Sequence, residues 1–132
     1  MKLIQKAVIK QGGTFLIGLR SEKVKYFPLH WDFPGWRLEA GEEPFEGIIR
    51  EVKEETNLDI KVLEVIGVYT FDIDWVGQDT HQFTLYSTEI LEWVLQLSDE
   101  HLEHRWATQE EIMKLPIEPY FAPFFQEQAF VK

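Results

Sequence analysis

The sequence predicts an α/β domain on three observations: two apolar runs parted by glycines near its start, one amphipathic helix signature in the middle, and a long alternating run that turns back on itself. Residues 3–10 and 14–20 are the two runs, and Gln11-Gly12-Gly13 between them reads as the turn of a β-hairpin that ends at Arg20. Residues 21–30 are polar and then aromatic, a loop; Trp31-Asp32-Phe33 follows as a short strand and Pro34-Gly35 as its turn. The helix starts at Pro44, whose missing N–H would have no partner in a first turn anyway. Phe45, Ile48, Ile49 and Val52 recur at i, i+3, i+4 and i+7, the stripe expected to face the core.

Beyond the helix, Leu63, Val65, Tyr69, Phe71 and Ile73 alternate with more polar neighbours over residues 61–74. Val76-Gly77-Gln78-Asp79 turns the chain, and residues 80–90 return with Phe83 and Leu85 on one face, an antiparallel hairpin. Residues 91–98 fit a strand or a connection equally. Thr108 and Glu111 make a capping box for a short helix that stops at Pro116. Residues 118–131 read as a second helix whose Tyr120, Phe121, Phe124, Phe125 and Phe130 belong to the core; any left exposed would serve a homodimer interface.

At 132 residues, 45% hydrophobic and 14% aromatic, the chain has the material for one compact domain over residues 1–132. It contains no cysteine, hence no disulfide framework, thiolate ligand or thiol nucleophile, which agrees with a reducing, cytoplasmic setting. His101 and His104, without thiols or a third clear ligand, make a weak zinc signal. Lys2, Gln5, Lys6 and Lys10 break up the N-terminal run, so no secretory h-region forms, and no run approaches the ~18 apolar residues of a membrane span. A net charge of −10 argues against a nucleic acid polymer as partner, since backbone phosphates are bound by clustered Lys and Arg. The same charge would repel a nucleotide polyphosphate unless a divalent metal travels with it.

The most informative stretch is residues 36–58. At 100° per residue Glu51, Glu54 and Glu55 fall within about a third of the helix circumference, away from the apolar stripe, with Gly47 one turn before Glu51 leaving room above it. Gathered carboxylates repel, and hard divalent cations with oxygen preference compensate them best, so the cluster points to Mg²⁺ or Mn²⁺. A solvated acidic face is the plain alternative. The wider spacing decides between the two. The stretch resembles the Nudix box, a Gly, five residues, Glu, seven residues, Arg-Glu, an aliphatic, any residue, Glu-Glu, any residue, Gly, an aliphatic. Glu42, Arg50, Glu51, Val52, Glu54, Glu55 and Leu58 stand at seven of its nine fixed positions. Asn57 replaces the closing glycine, a change Asn tolerates because it accepts the left-handed conformation at a helix end. Trp36 replaces the opening glycine, where the indole stands in the way of a close backbone approach or a positive φ.

The resemblance implies a Nudix-type α/β/α sandwich with a central mixed β-sheet and a MutT-like pyrophosphohydrolase. Such an enzyme cleaves a nucleoside diphosphate linked to another moiety, a nucleoside triphosphate first of all. It implies metal ligands at the Gly35 carbonyl, Glu51, Glu54 and Glu55, joined by Glu100 from the acidic loop before Trp106, with Glu103 as fallback. It makes Glu54 the first candidate for the base and Glu100 the second, with Arg50 orienting the cluster and Glu42 as its structural partner. The loop at 21–30 stands where such proteins cover the substrate. Lys23 and Lys25 could there meet phosphate, and Tyr26, Phe27, Trp36 and Trp75 could stack a base. Hydrolysis of dinucleoside polyphosphates or nucleotide sugars is the alternative within the class. A non-catalytic nucleotide-binding or sensor domain is the alternative outside it, though such domains usually lose box glutamates. An isopentenyl diphosphate isomerase, which shares the fold, would need the catalytic cysteine this chain lacks.

Overall fold

A computed structural model describes residues 1–74, 79–92 and 101–129. In chain order the described elements are strands β1 (Lys2–Val8), β2 (Lys10–Gln11), β3 (Thr14–Arg20), β4 (Trp31–Asp32) and β5 (Gly35–Arg37), helix α1 (Pro44–Thr56), strands β6 (Asp59–Asp72), β7 (Thr80–Glu92) and β8 (His101–Ala107), and helices α2 (Gln109–Ile112) and α3 (Phe121–Ala129). One sheet runs β5-β1-β7-β6, with β1 parallel to β7 and the other pairs antiparallel, so it is mixed as expected. A second sheet runs β2-β3-β4 with β8 also on β3.

Alternation along β1 divides the core in two. Ala7 and Ile9 turn to one side, where Ile48 and Val52 of α1 cover them. Ile4 and Val8 turn to the other, against Phe121, Phe124 and Phe125 of α3. A mixed sheet with a helix on each face is the α/β/α arrangement the box implied.

Four expectations change in detail. The N-terminal hairpin is only two residue pairs long, Lys10 with Phe15 and Gln11 with Thr14. β1 pairs instead with β7 and β5, because residues Ile4 to Ile9 are buried on both sides and a strand buried on both faces needs a neighbour on both edges. On α1 the stripe is turned. Ile48 and Val52 are fully buried, but Phe45 and Ile49 are 46% and 37% exposed, and the inward face is completed by Gly47, Glu51, Glu55 and Thr56. Positions 48, 51, 52 and 55 also recur at i, i+3, i+4 and i+7, so the helix is seated with two glutamates inward, which apolar periodicity cannot reveal. Phe45 is left with its ring edge-on to Tyr86, centroids 5.5 Å apart.

β6 does not keep its alternation, because irregularities fall between Asp59 and Ile60, Val62 and Glu64, and Val65 and Gly67. The first places its extra residue, Leu91, in β7, and the other two place Leu63 and Ile66 as extra residues in β6, so Leu63 and Val65 stay outside while Ile60, Val62 and Tyr69 are buried. Phe83 and Leu85 share an inward face as read. The last helix begins at Phe121, after Ile117 has bridged to Trp31. Tyr120, Phe121, Phe124 and Phe125 are core and so provide no dimer surface, while Phe130 lies outside the described residues. The short helix has the full capping box, the Thr108 hydroxyl accepting from the Glu111 N–H and the Glu111 carboxylate from the Thr108 N–H. Leu91 and Glu92 extend β7, and residues 93–98 are outside the described part.

The seating of α1 is open to a direct test. Ile48→Ala should cost about 2–5 kcal/mol in urea unfolding and Ile49→Ala under about 1 kcal/mol; equal losses would mean that the helix presents the Phe45–Ile49 side inward.

Candidate active site

The candidate site sits where α1 passes β5. Its helix ends on Asn57 in the left-handed conformation, φ 61°, with the Asn57 N–H donating to the Lys53 carbonyl, so the residue standing for the closing glycine performs that turn. Arg50 reaches Glu42 twice, Nε to Oε2 at 2.7 Å and Nη2 to Oε1 at 3.2 Å, the partnership expected of it. It also holds Glu54 at 3.0 Å and Glu51 at 2.9 Å. Glu42 is correspondingly acidic, chiefly through its hydrogen bonds from Arg50. The space left by Gly47 is taken by Glu42, whose carboxyl carbon would lie 2.9 Å from a Cβ there. Gly47 therefore makes room for the clamp.

Gly35 is where strand, turn and helix meet. Its φ is +140°, and a Cβ would fall 2.0 Å from the Gln5 carbonyl oxygen of β1. The close backbone approach demanded of a glycine is thus made at residue 35, while Trp36 continues β5 opposite Gln5, so tryptophan at the box's opening position leaves this turn intact. The Gly35 N–H donates to Glu55 Oε2 at 3.0 Å, and the other oxygen of Glu55 is buried with no hydrogen-bond partner. Burial first, then the nearby charge of Asp32, pushes the Glu55 carboxyl well above the usual range, with Lys6 pulling the other way.

Behind Glu55 lies a buried ionic cluster that the sequence reading did not identify. Lys6 Nζ is 3.0 Å from Asp32 and 3.5 Å from Glu118, and Arg20 is 3.0 Å from Asp32 and 3.6 Å from Glu118. All four are almost entirely buried. Burial favours neutral Lys6, but Asp32 and Glu118 outweigh it and keep its ammonium charged. The available signal was a lysine inside an apolar strand and an aspartate three residues before Gly35, charges that burial allows only with partners.

The donor set fits a hard divalent cation. It consists of carboxylates, and one buried Glu55 oxygen lacks a partner where a cation would supply one. Glu51, Glu54 and Glu55 share one arc of the helix, with Glu51 and Glu55 buried and the Glu54 side chain 58% exposed. They do not meet at a point. Among the described residues no three acidic or histidine side chains are gathered as a group, since Glu51 and Glu54 turn to Arg50 and Glu55 to Gly35.

Glu100 and Trp75 lie outside the described residues, as does the indole of Trp36. Glu103 is exposed on β8, 3.9 Å from Arg105. In the 21–30 loop the Tyr26 hydroxyl donates to Asp79 at 2.7 Å, its ring stands edge-on to buried His81, and Lys2 ion-pairs with Asp79 at 2.7 Å. The Lys25 ammonium lies over the Tyr26 ring, 5.1 Å from its centre, and half-buried Phe27 packs on the core at φ 51°. The loop is tied over the sheet by these contacts.

A raised carboxyl pKa makes the folded protein more stable with Glu55 protonated, so stability should fall as pH rises from the unfolded value of about 4.3 toward the folded one. Glu55→Gln should remove that decline, raise the melting temperature of metal-free protein at neutral pH, and abolish stabilisation by added Mg²⁺. A lower metal-free melting temperature would show that the charged Glu55 supports the fold.

The NUDIX domain family profile matches residues 6–128. Among similar proteins, a mouse bis(5'-nucleosyl)-tetraphosphatase is 28% identical over 89 residues, 65% of this chain but only 60% of that protein's length. A CTP pyrophosphohydrolase of Escherichia coli is 25% identical over 96% of this chain and 91% of its own. The crystal structure of a MutT protein from Methanosarcina mazei superposes with a TM-score of 0.84 at 27% identity, covering 96% of this chain and 91% of that one. The family generally uses divalent metal ions and acts on small nucleotide substrates. No described helix is long and apolar enough to cross a membrane. The matched span runs from within β1 into α3 and includes the whole box, and the chain is a member of the Nudix family.

Proposed function

We infer that this protein is a metal-dependent pyrophosphohydrolase of nucleotides, with a nucleoside triphosphate as its first substrate. The observation that carries the reading is the pair of inward glutamates, Glu51 and Glu55, buried on the helix face beside Gly35 with one Glu55 oxygen left unpartnered. A solvated acidic face would point the same residues outward. Glu51, Glu54, Glu55 and the Gly35 carbonyl would hold Mg²⁺ or Mn²⁺, which when bound neutralises phosphate charge and acidifies water.

The chain's own residues do the rest. Arg50, anchored on Glu42, holds the side chain of Glu51 beside it in sequence and that of Glu54 one turn on. As the water oxygen bonds to phosphorus and the bridging P–O bond breaks, the water's proton passes to a carboxylate. Glu54, the most exposed of the three, is the first candidate for that base and Glu100 the second. Tyr26 and Lys25 lie on the loop taken to cover the substrate, as does Phe27. The near full-length match to a CTP pyrophosphohydrolase supports a triphosphate; the shorter match to a tetraphosphatase supports dinucleoside polyphosphates as the second reading.

In a panel of nucleoside triphosphates, oxidised dGTP, dinucleoside polyphosphates and nucleotide sugars with Mg²⁺, at least one compound should be hydrolysed. Glu54→Gln should lower kcat by about 10²–10⁴ with the melting temperature kept. Tight nucleotide binding without turnover of any compound would make the protein a sensor instead.

A further inference from the structure

A well-formed cavity lies away from the carboxylates. About 570 Å³ in volume, it opens between the sheet and α3, on the Val8 face, opposite the face that α1 covers. Its walls are apolar, formed by Val8, Phe15, Ile66, Phe124 and Phe125. Neither Gly35 nor any of Glu51, Glu54 and Glu55 lines it. The volume falls in the range of small-molecule sites.

Lys10 of β2, Gln109 of α2 and Gln128 of α3, from three separate elements, reach this one space, as does Ser87 of β7, whose hydroxyl donates to the Glu64 carbonyl at 3.4 Å. Thr88 is also there, but its hydroxyl already donates to the Val8 carbonyl at 2.9 Å. Among the described residues, Lys10 has no carboxylate partner and neither glutamine amide has a hydrogen bond. The Lys10 ammonium is held over the Phe15 ring, 5.3 Å from its centre, which places a positive charge at the edge of an apolar wall. In a chain of net charge −10 an uncompensated cation beside an apolar hole selects for a matching anion.

We propose that this cavity is a second, non-catalytic ligand site for a small amphipathic organic anion, a flat apolar body carrying one negative group. The body lies between Phe15, Phe124 and Ile66, the negative group meets Lys10, and the amides of Gln109 and Gln128 take its remaining polar atoms. The proposal stands independently of the hydrolytic reading.

Anilinonaphthalene sulfonate has this chemistry and serves as the probe, titrated into the full chain by fluorescence and by calorimetry. One equivalent should bind saturably. Lys10→Glu, at an exposed position that does not endanger folding, should weaken binding about tenfold or more. Ile66→Trp, which fills the cavity, should abolish it with the circular dichroism spectrum unchanged. Val65→Ser should leave it as in the parent, since Val65 lies on the opposite face of β6. Equal affinity in Lys10→Glu and the parent, loss on Val65→Ser, or displacement of the probe by magnesium nucleotide would each overturn the proposal; displacement would assign the cavity to the substrate cleft.

Discussion

Everything in this fold that bears on the site depends on the contact between Gly35 and its two neighbours. From one side the Gln5 carbonyl of β1 presses so closely that a single methyl group would overlap it; from the other, Glu55 accepts the Gly35 N–H. The first contact is a sheet contact, part of the pairing of β5 with β1. The second ties the sheet to α1. A residue with a side chain here would have to part β5 from β1, and the same movement would withdraw the backbone from Glu55. The turn thus links strand pairing, helix position and the orientation of one carboxylate in one small volume.

Such a site is costly in the absence of compensation. Desolvating a carboxylate opposes folding by several kcal/mol, and Glu55 is surrounded by other buried charge: Lys6 and Arg20 against Asp32 and Glu118, two of each sign. With Glu55 ionised the group carries one surplus negative charge. A fold maximising stability would place an apolar residue at position 55, which stands at i+7 from Ile48 and i+3 from Val52 on the buried face of α1. On the proposed reading, keeping a half-satisfied glutamate there exchanges stability for a cation site, which is the usual direction of the trade in functional sites.

This trade also explains what the sequence revealed. The box was legible because seven fixed positions carry it, and the α/β/α layout followed by resemblance. The C-terminal aromatics and the Thr108 capping box were legible from residue type and spacing alone. Errors arose wherever side chains in contact override periodicity. Phe45 and Ile49 look like core because they are apolar, yet the helix turns inward on Glu51 and Glu55, which meet Arg50 and the Gly35 N–H, a rotation that apolar periodicity does not encode. In β6 the bulges shift the phase of Leu63 and Val65, and nothing in an apolar run marks where an extra residue is inserted. Lys6, Arg20, Asp32 and Glu118 are spread over more than a hundred positions, so their meeting is a property of topology. Trp36 was read as an obstruction because the motif names that position; the geometry shows that its neighbour makes the approach.

The distribution of Arg50's bonds separates Glu42, Glu54 and Glu55 by how readily each can be released, with Glu51 also held at 2.9 Å. Glu42 receives two hydrogen bonds from the guanidinium and is mostly covered, a forked arrangement that fixes the arginine in place. Glu54, itself exposed, receives one, and such a pair is worth under about 1 kcal/mol. Glu55 receives none from Arg50 and is fixed instead by Gly35. On the proposed reading these differences are what the reaction requires: an anchor that stays, a ligand that cannot turn away, and one carboxylate that leaves the arginine at small cost to take a proton. The clamp therefore acts by holding Glu42 strongly and Glu54 weakly. A lysine at position 50 would neutralise the same charge but, lacking the fork, could not make that distinction.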